Sequence, residues 1–116
     1  MPARSQFVRF VTEQMADFGL VEARAMFGGA GLFRDGLMFA LIAGQDMLFL
    51  KVDEHTAERF EAECLPPFTY RSKTGTRTLA SYRRAPERCL DDIDEMSEWA
   101  SLAWSAALRS SAKSRP

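Results

Sequence analysis

The chain opens with apolar residues spaced as a helix spaces them. Over "SQFVRFVTEQMADF", residues 5–18, a step of about 100° per residue gathers Phe7, Val8, Phe10, Val11, Met15 and Phe18 on one broad face, with Arg9, Thr12, Glu13 and Asp17 opposite. Ser5 is placed to cap the first turn, and Gly19 stands where a left-handed residue closes a helix. From residue 20 to 52 the pattern becomes short apolar runs broken by turn residues: "LVEARAMF", "AGLF", "LMFALIA" and "MLFLKV". Asp35-Gly36 between two such runs predicts a two-residue type I′ turn, because that turn needs positive φ at both positions. Gly44-Gln45-Asp46 predicts a second hairpin loop, so the region reads as an antiparallel meander of three or four strands. Its strands are apolar at nearly every residue, which implies that helices or another subunit cover both faces of the sheet.

Beyond the meander, Asp53 is placed to cap a short helix over residues 54–63 that packs through Ala57 and Phe60. Pro66 and Pro67 cannot continue it. A further hairpin, "FTYRSK" with "RTLASYRRA", turns around Thr74-Gly75-Thr76. Pro86 and the acidic run "DDIDE" introduce a last helix from about Ile93 to Leu108, with acids where the helix dipole favours them. Residues 109–116, "RSSAKSRP", are expected to be a mobile polar tail. With no repeat or linker, residues 1–116 form one domain of the α+β class. It holds an antiparallel sheet of five or six strands flanked by N-terminal, middle and C-terminal helices.

Composition narrows the function more than the fold. A chain of 116 residues that is 47% hydrophobic can bury its own core and is not disordered. Its net charge of −1 supplies no overall field toward nucleic acid or membrane, so any such role needs a local patch. The residues "MPARSQFVRFVTEQ" mix charge among apolar positions and hold no signal-peptide core, and the apolar run Leu37–Ala43 is far short of a membrane span. A soluble cytoplasmic protein without membrane association is expected. Cys64 and Cys89 are too few for a disulfide framework or a zinc site and read as reduced, buried thiols.

Gly28, Gly29 and Gly31 spell a G-G-x-G run that invites a phosphate-loop reading. A phosphate cradle needs a helix to follow, whereas "LFRDGLMFALI" continues as strand and hairpin, so the glycines, with Asp35 and Gly36, read as structural turn positions. The lone histidine, His55, has no ligand pattern around it and reads as a surface residue. Neither Ser81 nor Cys64 sits in a nucleophile elbow. No catalytic residue, metal site or cofactor is expected.

Two surfaces remain. Between Glu63 and Glu87 no acid occurs, while Arg71, Lys73, Arg77, Arg83 and Arg84 interleave with Tyr70 and Tyr82. Strand alternation points Arg71 and Lys73 together, with Arg77 joining them across the turn. Such a ribbon can hold phosphates or single strands, weakly and with strong salt dependence, or it can simply keep a sheet edge solvated. On the last helix, Ile93, Met96, Ala100, Ala103, Trp104 and Ala107 form a core arc, and Trp99, Leu102 and Ala106 form a second cluster on its flank. That cluster is either the interface of a homodimer or a second buried side within one chain.

The pieces "RAMFGGAGLFRDGLMFALI", "LFLKVDE", "PFTYRSK" and "ASYRRAPE", in this order over roughly residues 5–108, resemble the N-terminal domain of the TfoX (Sxy) family. The resemblance implies an antiparallel sheet flanked by helices, similar to the secretion-chaperone-like group, whose members often dimerise. It implies a place in bacterial competence and transcription regulation, here as a stand-alone domain without the family's helical C-terminal domain. The expected function is a regulatory or protein-interaction module, homodimeric or bound to a regulatory protein. The alternative is a weak nucleic-acid-binding regulator using the hairpin 70–84, with an enzyme last.

Overall fold

The computed structural model describes residues 3–26 and 28–114. In chain order it runs α1 (Ala3–Gln14), β1 (Glu22–Met26), β2 (Gly29–Arg34), β3 (Leu37–Ala43), β4 (Met47–Lys51), α2 (Ala57–Ala62), β5 (Pro67–Ser72), β6 (Gly75–Arg84) and α3 (Ile93–Ser114), with a short 3-10 turn at Glu87–Leu90. The six strands form one antiparallel sheet in the order β1-β2-β3-β4-β6-β5. The α+β architecture and the strand count agree with the pattern in the sequence.

The turn chemistry is as the residues demand. Arg34 pairs with Leu37 across Asp35 and Gly36, whose φ values of 51° and 79° are the two positive angles of a type I′ turn. Gly28 bends the β1–β2 hairpin at φ 73°. Gly29 is needed for another reason: a Cβ there would lie 1.9 Å from the Ile42 carbonyl oxygen. The meander resolves into four strands, and β3 carries a bulge opposite Leu32 and Phe33 that sends Phe39 and Ala40 to the same face.

The helices all lie on one side. Leu32, Ala40, Ile42, Leu48 and Leu50 face Val11 of α1, Met15 just beyond it, Phe60 of α2, and Met96, Trp99, Ala100, Ala103 and Ala107 of α3 in a single core. The other face holds Leu41, Ala43, Phe49 and Tyr82, packed with Met38, Met47 and Phe68, and among the described residues no helix residue joins them. Of the two covers expected, helices or another subunit, helices lie over one face only among the described residues. The second face is screened by its own long side chains, among them Lys51, whose Nζ lies 5.1 Å above the Tyr82 ring.

Several boundaries move. Helix α1 starts at Ala3, which places Ser5 inside it rather than at its cap, and residues 15–18 form a closing turn in which the Gly19 amide donates to the Met15 carbonyl at 3.0 Å. Gly19 has φ 155°, far from the left-handed helical value expected. Phe10 is 43% exposed at the margin of a face centred on Val11 and Met15. The β5–β6 turn is made by Lys73 and Thr74, since Ser72 pairs with Gly75. Helix α3 is capped by Asp92, whose Oδ1 accepts from the Asp94 and Glu95 amides at 2.9 and 3.3 Å. It runs to Ser114, so residues 109–114 are helix and not a loose tail. Arg109 supplies the reason: its guanidinium grips Asp53 through Nε to Oδ2 at 2.6 Å and Nη2 to Oδ1 at 3.0 Å. Cys89 is buried as expected, whereas Cys64 is exposed in a left-handed conformation at φ 56°.

Candidate functional site

The flank of α3 closes within the chain. Trp99 and Ala106 are fully buried within this chain, and Leu102 is half-buried against the core. The reason is α2, which packs beside α3 and sets the Phe60 ring edge-on to Trp99 at 5.0 Å. Trp99 Nε1 donates to Glu95 at 3.3 Å, and Arg59 and Arg88 lie 5.1 and 5.7 Å from its ring centre. Arg88 is bidentate to Glu63, both contacts at 2.6 Å, and the guanidinium holds the Glu63 carboxyl below its ordinary pKa. Ile93, assigned to the core arc, is instead 39% exposed, and half-buried Trp104 packs edge-on to Phe39.

The basic hairpin divides. Arg71, Lys73 and Arg77 are exposed near its tip with Tyr70, which is 44% exposed. The register sets Arg77 opposite Tyr70 and Arg71 opposite Thr76, so Arg77 shares a face with Tyr70 rather than with Arg71. Arg77 also turns inward to Ser72 and Thr74. The lower half of the ribbon is structural. Tyr82 is buried and its phenol is pushed up to about pKa 12 by that burial, while Arg83 donates to the Leu65 carbonyl at 2.7 Å and lies 3.6 Å from Glu61.

This division follows from a step in the sheet. Pairing passes from Pro67–Arg83 directly to Phe68–Leu79, so one residue on β5 corresponds to four on β6. The skipped residues serve β4 instead, where Tyr82 pairs with Lys51 and the Val52 amide donates to the Ser81 carbonyl at 2.7 Å. The step brings Phe68 onto Phe49, ring centres 4.9 Å apart, and stacks Tyr70 beyond Phe68 at 5.7 Å. An aromatic row therefore climbs from the helix-free face toward the hairpin tip. Leu79, paired with Phe68, is 38% exposed beside it. At the foot of the row lies a cleft of about 340 Å³, lined by Gly44, Met47, Phe49, Pro66, Pro67, Phe68, Thr69 and Arg84. Sequence reading named Arg84 for the hairpin and missed the cleft, because its wall comes from strands that are distant in the chain.

His55 and Cys64 do not line this cleft, and among the described residues no three His, Cys, Asp or Glu side chains converge as a metal site requires. Among those residues, too, no helix is long and apolar enough to cross a membrane.

A six-stranded antiparallel sheet backed on one side by helices, with Gly28 and Gly36 in its turns and Gly29 and Gly31 inside β2, defines an α+β domain. Residues 13–107 match the TfoX N-terminal domain, and the chain belongs to that family. At family level this is a regulatory, competence-related domain. No curated protein matches the chain in sequence.

Proposed function

We propose that this domain is a protein-interaction module in bacterial competence or transcription regulation, and that it binds its partner through the helix-free face of the sheet. The observation that supports this most is the aromatic row Phe49, Phe68 and Tyr70, with Leu79 exposed beside it and no helix laid across. Flexible Met38 and Met47 flank it, side chains that adapt to varied apolar partners. A second copy of the chain is one admissible partner, and light scattering separates that case from a heterologous one. The test is capture from native-cell lysate by the wild-type chain and by Leu79→Asp and Tyr70→Asp, each first shown to be folded by circular dichroism. A partner held by the wild type and lost from both variants supports the reading. An identical set on all three baits refutes it.

The second reading is a weak nucleic-acid contact at the hairpin tip, favoured by the exposure of Arg71, Lys73 and Arg77 next to Tyr70. It requires a salt-sensitive, sequence-independent gel shift that disappears on charge reversal of those three residues. An unchanged shift clears the hairpin of this role.

A further inference from the structure

The cleft at the foot of the aromatic row has chemistry of its own, although it shares Met47, Phe49 and Phe68 with the face proposed above. Its walls are Met47 and Phe49 from β4, the Pro66-Pro67 corner, Phe68 and Thr69, a mainly apolar, half-open hollow with one cation, Arg84. The sheet register sets Arg84 directly opposite Phe49, at the end of β6 where its amide donates to the Pro66 carbonyl at 2.8 Å. Other arginines of this region hold acids: Arg59 pairs with Glu98, Arg83 lies near Glu61, and Arg88 holds Glu63 and Glu95. Arg84 is half-buried, and its side chain takes part in no ion pair or hydrogen bond among the described residues. A half-buried arginine lining an aromatic hollow has the chemistry to receive an anion attached to an apolar body.

We propose that the cleft binds a small apolar monoanion, an aromatic or acyl carboxylate, with its body against Phe49, Phe68 and the proline corner and its carboxylate on Arg84. The size supports a free small molecule rather than a chain segment. About 340 Å³ stands near the lower end of the roughly 300–1,000 Å³ of small-molecule sites and accommodates a bicyclic ring or a medium acyl chain. The apolar walls give affinity without polarity, and Arg84 gives discrimination between a charged head and a neutral one.

The test is a titration of the wild-type chain, followed by amide shifts, with 2-naphthoate, decanoate, the neutral isostere 2-naphthamide, and an acetylated tripeptide ending in Phe with a free carboxylate. Saturable shifts with naphthoate or decanoate should centre on Met47, Phe49, Phe68, Thr69 and Arg84. Naphthamide should bind roughly tenfold more weakly, the difference expected of a charge-assisted contact. Arg84→Gln should abolish that preference, and Met47→Trp, which fills the hollow, should abolish binding of either compound. Equal binding of naphthoate and naphthamide to the wild type, a preference unchanged by Arg84→Gln, or no localised shift at millimolar acid overturns the proposal. So does tighter binding of the tripeptide, which makes the cleft a chain-end docking site instead.

Discussion

Replacing Asp53 by Asn separates two jobs that its carboxylate does at once. Oδ1 accepts from the His55 amide at 3.0 Å and the Thr56 hydroxyl at 3.4 Å, closing the turn into α2, while both oxygens hold Arg109 near the end of α3. Asparagine keeps an oxygen for the turn and loses the charge. The carboxyl is held at about pKa 2 against an ordinary 3.8, chiefly by the Arg109 hydrogen bonds, with burial acting in the opposite direction. At about 1.4 kcal/mol per unit this sets a ceiling of about 2.5 kcal/mol. Arg109 is 35% exposed, so solvent screening reduces the expected loss in Asp53→Asn to about 1 kcal/mol. The sign is fixed by the direction of the shift. A depressed carboxylate stabilises fully above its unfolded pKa of about 4 and loses that contribution as pH falls toward about 2. Urea unfolding of wild type and Asp53→Asn should therefore differ at neutral pH and converge near pH 2, and Arg109→Gln should cost little more once Asp53 is Asn. Equal stability at neutral pH, or a gap that persists unchanged down to about pH 2, refutes the clamp.

Two glycines should fail by different physics. Gly29→Ala drives a methyl into the Ile42 carbonyl and should cost at least about 2 kcal/mol in urea, whereas Gly36→Ala meets nothing within 4 Å and should cost only the roughly 1 kcal/mol of a side chain at φ 79°. Trp99→Ala should lose about 3–5 kcal/mol by thermal or urea unfolding, as a fully buried ring packed on Phe60 does, where an exposed interface residue would leave the monomer intact. In the native protein one thiol, Cys64, should react with a disulfide reagent. Cys89, buried and pushed up to about pKa 12, should react only on unfolding, and fast modification of both thiols would refute its burial.

The local parts of this fold were legible because their causes are local. Asp35-Gly36 announces its turn by the φ angles it tolerates, and Val11 and Met15 announce a buried helical face by spacing alone. What escaped depends on partners far along the chain. The sequence left Trp99 as either an interface residue or part of a second buried side, and α2 fills that flank. Helix α3, expected to end near Leu108, runs on past the contact of Arg109 with Asp53. Strand alternation joined Arg77 to Arg71, but the turn lies at Lys73-Thr74, which shifts the parity and hands Arg77 to Tyr70. The cleft was the least readable feature of all. It exists only where β4 meets the step between β5 and β6.

The strand order also has a kinetic side. Of its five pairings, four join strands that follow one another in the chain, each closable by a short loop at small entropic cost. Only the seam of Phe49, Leu50 and Lys51 with Arg84, Arg83 and Tyr82 must bridge a helix and a hairpin. A four-stranded meander and a hairpin can thus form early and independently, and the search that remains is for this three-pair junction. Substitutions at Leu50, buried at the centre of the seam, should slow folding, while those within the β2–β3 hairpin should act mainly on the rate of unfolding.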